Sequence, residues 1–195
     1  MDIHSSENSI WKAFLSGDEK AFSALYYMYA NILFSYGHRI VNDREMVKDA
    51  IQELFIKLYH NRENLNDTEH VKFYLFKALR NRLISKLESR AHVSLDADNE
   101  LLFQIEIAMQ EEDDPDEIFS EDQKKELSRA MKTLTSRQRE AIYLRYIREV
   151  PLEGIASMLN MNYQSTRNLI HRSILKLRKE LLIAIFILLQ SYLNN

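Results

Sequence analysis

Between residues 91 and 122 the chain carries 12 Asp/Glu and no Lys or Arg. Like charges crowded this densely repel one another and resist a shared interior, so the stretch divides whatever folds on either side of it. Its centre, EEDDPDE at positions 111–117, contains Pro115 and reads as a linker. Residues 100–110 keep the spacing of a short amphipathic helix. The first 90 residues hold 13 Lys/Arg against 12 Asp/Glu, while residues 123–195 hold 13 against five. A formal net charge of −3 therefore conceals a basic C-terminal block, and such a block suits a polyanion.

Both flanks read as helical. Three Gly and two Pro in 195 residues favour helices with short connections. Helical spacing runs through residues 6–15, 19–41, 44–60 and 69–90, and again through 121–133, 136–146, 151–160 and 163–192. Asp18 and Asp43 stand where the second and third helices need N-caps, and Asp67 or Thr68 where the fourth needs one. Strand alternation and βαβ patterning are absent. The expected fold class is all-α, with small helical domains at 1–90 and 120–195 joined by an acidic linker at 91–119.

Several chemistries lack their parts. With no Cys there are no disulfides, thiolate metal sites or cysteine nucleophiles, which fits a reducing cytoplasm. Gly17, Gly37 and Gly154 are isolated, so no phosphate-binding glycine loop is present. The six His show no paired ligand spacing, and His38, His60 and His70 read as surface or helix-end residues. No catalytic residue, metal, cofactor or small-molecule substrate is expected. The N-terminus lacks a signal-peptide pattern. The longest apolar run, residues 181–189, is less than half of the roughly 20 residues a membrane span needs. The apolar tail 181–193 is expected to be buried, in the first instance against other helices of the C-terminal domain.

The C-terminal block carries a helix-turn-helix layout. Leu152, Ile155, Ala156 and Leu159 share one face of a first helix, and Asn160-Met161-Asn162 supplies the turn. Asn160 suits a position of positive φ. On the second helix Ile170, Ile174, Leu177 and Leu181 form a core-facing stripe. Arg167, Asn168, His171 and Arg172 fall on a separate face, and Tyr163, Gln164 and Ser165 lie at the helix start. Arg and Asn pair with guanine and adenine edges in the major groove, while a helix start approaches phosphates. The run L-x-x-R-Q-R-E-x-x-x-L-R-Y (residues 134–146) and the IA-x-x-L of the first helix resemble the fourth conserved region of sigma-70-family proteins, which recognises the promoter −35 element. Gly154 stands where Glu is common, and Asn160 where a turn Gly is frequent.

In the N-terminal block, Val47, Ala50, Ile51, Leu54 and Leu58 make a buried stripe. Asp49, Gln52, Glu53 and Lys57 occupy the opposite face with Ile56 among them, and an apolar residue ringed by charge is an interface candidate. On the following helix Leu75, Leu79, Leu83 and Leu87 face the core. Tyr74, Lys77 and Asn81 lie together on another face, where an aromatic platform beside a cation and an amide suits an unstacked base. The run D-x-x-Q-E-x-F-x-K-L-Y (residues 49–59) resembles the second conserved region of sigma factors.

That resemblance implies a sigma factor of the extracytoplasmic-function (ECF) type. It places Asp49, Gln52, Glu53 and Ile56 against core RNA polymerase, at its clamp helices, with the flap as a second contact. It puts residues 65–69, with Leu65, Asn66 and Asp67, in the loop that captures a flipped −10 base, and Asn81 on the adjoining helix beside Tyr74 and Lys77. Tyr74 stands where the family often has Trp. The partners implied are promoter DNA, core polymerase and an anti-sigma factor, some of which are membrane-anchored. A stand-alone helix-turn-helix regulator would explain residues 151–180 but leaves the Asp49/Gln52/Glu53 motif without purpose. A protein-binding helical adaptor leaves the basic C-terminal block unexplained. The acidic linker, with Asp113, Asp114, Asp116 and Glu117, is expected to shield that block in the free protein.

Overall fold

The computed structural model describes residues 3–68, 70–91, 103 and 121–193. It divides into two units, residues 1–99 and 100–195. The expected helix at 100–110, the acidic run at 111–117 and the shielding carboxylates lie outside the described residues. Phe103 is described, and it belongs to the second unit.

The first unit is a bundle of α1 (Ile3–Leu15), α2 (Glu19–Ile40), α3 (Arg44–His60) and α4 (Val71–Ala91), with a short 3₁₀ turn at Arg62–Asn64. Asp18 caps α2 by accepting from the amides of Lys20 and Ala21, and Asp43 caps α3 through Met46 N. Before α4, Thr68 Oγ1 accepts from His70 N, whereas the Asp67 carboxylate pairs with Lys12 Nζ at 3.5 Å. The core gathers Trp11, Phe14, Leu25, Leu33, Tyr36, Leu75, Phe76, Leu79 and Leu83, all essentially inaccessible to solvent. Gly37 sits where α2 meets α3 and α4. A Cβ there would come within 2.8 Å of Val47 Cγ1 and 3.3 Å of Leu83 Cδ1. Leu87 is only half-buried.

The second unit comprises α5 (Glu121–Lys132), α6 (Ser136–Ile142), a π turn (Tyr143–Ile147), α7 (Leu152–Met158) and α8 (Tyr163–Leu193), with α5, α6 and α7 all packing on α8. Thr135 caps α6 in a reciprocal box with Gln138. Asn160 has φ +51, the left-handed geometry its turn requires.

Two expectations need correction here. The helix expected over 136–146 is α-helical only to Ile142. Arg148 N bonds back to Tyr143 O at 3.1 Å, and Glu149 then takes φ +55. The core face of α8 is also more polar than the apolar stripe suggests. Ile170 is buried, but Ile174, Leu177 and Leu181 are half-buried, and the deepest positions are Thr166 and Ser173. Their hydroxyls donate to Asn162 O and Leu169 O within the same helix, so small side chains admit close packing at no polar cost. At the start of the apolar tail Leu181 is half-buried and Leu182 is 66% exposed, while the side chains of residues 183–193, on which the expectation of burial mostly falls, lie outside those described. No helix among the described residues is long and apolar enough to cross a membrane.

Candidate nucleic-acid interface

The first unit carries a cleft of about 530 Å³ between α3 and α4. Leu65, Tyr74 and Asn81 line it together with Leu54, Leu58, Asn61 and Ala78. The connection after the 3₁₀ turn brings Leu65 back to α4, and the seven-residue interval from Tyr74 to Asn81 keeps both on one helix face. Tyr74 leans on the buried Trp11, ring centroids 5.9 Å apart and tilted by 56°. Burial on that side pushes its hydroxyl pKa up, while 37% of the residue stays exposed toward the cleft. Three of the residues expected to handle a base thus share one wall. The other three lie apart from it: Lys77 Nζ sits 5.9 Å from the Phe73 ring, Asp67 pairs with Lys12, and Asn66 is exposed in the loop.

The polar end of the cleft is built by Glu53, Lys57, Arg82, Ser85 and Lys86. Glu53 Oε2 accepts from Arg82 Nη1 at 2.5 Å and Oε1 from Lys86 Nζ at 2.8 Å. The Lys86 and Arg82 hydrogen bonds hold its carboxyl below the ordinary glutamate range. Asp49, Gln52 and Ile56 are exposed on α3, Ile56 to 48%. Nearby on α2, Tyr26 and Tyr27 are exposed as well, and Tyr26 packs edge-on against Phe55 at 5.0 Å. The residue pattern gave no warning of these tyrosines, because aromatic side chains on a long helix normally mark its core.

In the second unit Arg167, Asn168, His171 and Arg172 are all exposed on α8. Tyr163 and Gln164 are exposed at the helix start, and Ser165 is half-buried there. Asn162 Oδ1 accepts from Ser165 N at 2.7 Å and caps the helix. Gln164 Nε2 donates to Asn168 Oδ1 at 3.3 Å, which pre-orients the amide of Asn168. A groove of about 500 Å³ runs beside this face, lined by Gln164, Arg167, Asn168 and His171 from α8 and by Arg145 and Tyr146 from the π turn. Sequence reasoning missed those last two. The wider turn rotates them away from where a straight α-helix would aim them, and Glu149 is no glycine to announce the break.

The R-Q-R-E run before the groove is a set of ties. Arg137 donates to Leu159 O at the end of α7. Arg139 donates to Leu134 O, to Ser136 Oγ at 3.0 Å and, through Nε, to Phe103 O at 2.9 Å. Glu140 is buried. These bonds tie α6 to the end of α7, to the turn before α6 and to Phe103, and they use none of the exposed residues of α8.

Residues 25–93 match the family model for sigma-70 region 2, and residues 130–179 match that for sigma-70 region 4. The chain is similar to the ECF RNA polymerase sigma factor SigW of Bacillus subtilis (strain 168), at 24% identity over 170 residues, covering 85% of this chain and 91% of the relative. Its fold resembles that of the sigma factor RpoE solved with the anti-sigma factor NepR from Bartonella quintana, with TM-score 0.58, 20% identity, and 83% and 97% of the two chains covered. It also resembles CnrH solved with the cytosolic domain of CnrY, with TM-score 0.58, 17% identity, and 91% and 97% covered. Each family model falls within its own unit and in the order the two motifs occupy along the sequence. The chain belongs to the sigma-70 family and is an RNA polymerase sigma factor of the ECF type.

Proposed function

We propose that the α3–α4 cleft receives an unstacked base of the promoter −10 element while the exposed face of α8 reads the −35 element in the major groove. The convergence of Leu65, Tyr74 and Asn81 on one cleft, with Trp11 stiffening the aromatic wall, carries the first half. A base stacks on Tyr74, and Asn81 offers both a donor and an acceptor to its edge. For the second half, Arg167, Asn168, His171 and Arg172 supply base and phosphate contacts, with Tyr163, Gln164 and Ser165 at the helix start and Arg145 at the rim. Asp49, Gln52 and Ile56 form the face offered to core polymerase, with Glu53 at its edge. Asn66, Asp67 and Lys77 act on the DNA leaving the cleft rather than on the base inside it.

This chain contributes recognition and no catalysis; polymerase performs the chemistry, in the cytoplasm. The two structural relatives were solved with protein regulators, and by extension an anti-sigma factor, free or membrane-anchored, restrains this chain.

Run-off transcription by core polymerase with and without the protein tests the reading. A promoter-specific transcript is expected only with the protein. Tyr74→Ala and Asn81→Ala should abolish open-complex formation while duplex −35 binding persists. Arg172→Ala should weaken −35 binding and flatten its salt dependence. Duplex binding without any polymerase-dependent transcript would replace this reading with that of a stand-alone regulator.

A further inference from the structure

The cleft between α3 and α4 holds two of its cations against a carboxylate of its own wall. Arg82 and Lys86 stand one helical turn apart on α4, so both side chains project to the same side. Glu53, arriving from α3, spans them with one oxygen on each, at 2.5 Å and 2.8 Å. All three line the same space as Tyr74 and Asn81. Packing does not require this arrangement. Leu54, Leu58, Leu75 and Leu79 already join the two helices through the core, and the Glu53 side chain is 45% exposed. Arg82 and Lys86 are only 24% and 29% exposed, so they stay anchored in the cleft wall while the more open carboxylate exchanges for another anion of similar shape. A carboxylate bridging an arginine and a lysine presents two oxygens at hydrogen-bond distance, as a phosphodiester does.

We propose that Arg82 and Lys86 form a phosphate subsite of the cleft, and that Glu53 fills this subsite in the free protein as an internal stand-in for a nucleic-acid phosphate. The inference rests on the cleft being a single-strand site. Glu53 then acts as a competitor that must be displaced before a strand can settle beside Tyr74 and Asn81. Its position at the edge of the face expected to meet polymerase gives the displacement a trigger. A cation on the partner that engages Glu53 releases Arg82 and Lys86, so docking of one macromolecule raises the affinity for the other.

Fluorescence anisotropy of the full chain with a labelled A/T-rich single strand of about 12 nucleotides tests this. At low salt Glu53→Gln should bind about threefold to tenfold more tightly than the unaltered protein, with a steeper salt dependence. Arg82→Gln with Lys86→Gln should weaken binding and flatten the salt slope. Adding Glu53→Gln to that pair should restore nothing. Glu45→Gln, which removes an equally negative but distant side chain of α3, should leave affinity unchanged. If Glu45→Gln matches the gain, the effect is bulk charge and the subsite falls. If Glu53→Gln gives no gain while Tyr74→Ala weakens binding, the internal competitor is overturned and the cleft reading survives. If neither Tyr74→Ala nor Asn81→Ala weakens binding, the cleft reading fails with it. Should Glu53→Gln lower the melting temperature enough to unfold the bundle, the Arg82/Lys86 pair decides alone, and unchanged affinity there overturns the proposal.

Discussion

The two units hold the helix faces proposed to meet nucleic acid by different physics. In the first, the largest fully buried side chains are apolar rings and leucines: Trp11, Phe14, Tyr36, Phe76, Leu25, Leu33, Leu75, Leu79 and Leu83. In the second, among the described residues, they are Phe103, Leu144 and Ile155. Small helical elements there are tied by side chains that reach backbone carbonyls. Arg137 donates to Leu159 O, Arg139 to Leu134 O and Phe103 O, and Lys176 to Thr133 O. A bundle of four long helices buries enough apolar surface to be held by it. Elements of seven residues, such as α6 and α7, do not, and their free helix ends need partners. The first unit is therefore sensitive to lost volume and the second to lost donors.

The sharpest way to break that contrast is Phe76→Ala. It should cost the first unit about 3–5 kcal/mol through the cavity it leaves. Calorimetry should show that unit's transition fall while the second stays in place; joint movement would mean the units share their stability. Next in size, Arg139→Met should cost the second unit about 2–3 kcal/mol by leaving buried carbonyls without a donor. Arg139→Lys should not restore it, because one ammonium lacks the planar fork that serves several acceptors. Denaturant melts of both variants test this, and a rescue by lysine would reduce Arg139 to a point charge. Thr135→Ala, which removes one half of the capping box on α6, should cost about 1 kcal/mol by the same measurement.

The smallest effect is acid sensitivity of the first unit. The Lys86 and Arg82 hydrogen bonds depress the Glu53 carboxyl, and the Met46 amide followed by Arg90 depresses that of Asp43. A group whose folded pKa lies below its unfolded value stabilises above the unfolded pKa and loses that contribution as pH falls through the folded one. The melting temperature of the first unit should thus decline as pH drops below the ordinary carboxylate range of roughly 4 to 4.5. Glu53→Gln should flatten the decline. Both carboxylates are more than a third exposed, so solvent screening keeps the change small.

What was legible in the residues follows the same division. Caps are local chemistry, so Asp18, Asp43 and the turn at Asn160 could be read directly. The stripe Val47, Ala50, Ile51, Leu54 and Leu58 is buried as its spacing demands. Features that depend on distant partners could not be read. Tyr74 looks like a weaker replacement for tryptophan until Trp11 is found behind it. Glu53 looks like a surface acid until α4 brings Arg82 and Lys86 to it. A 100° projection holds only for an α-helix, so the π turn puts Arg145 and Tyr146 on the groove where the spacing does not. The burial of Thr166 and Ser173 is invisible to an apolar periodicity, because their hydroxyls are satisfied by carbonyls one turn back.

Phe103 sets the true size of the piece that can be moved. It lies 18 residues before the described start of α5 at Glu121, yet it is 1% exposed, with its ring 5.6 Å from Tyr143 and its carbonyl held by Arg139. A gene fusion that begins the DNA-reading module at its first helix would discard this residue. It would open a hole beside Tyr143 and leave one arm of Arg139 idle. Swaps of such modules between related proteins should therefore be cut on the N-terminal side of Phe103, near the division between the two units at residues 99 and 100.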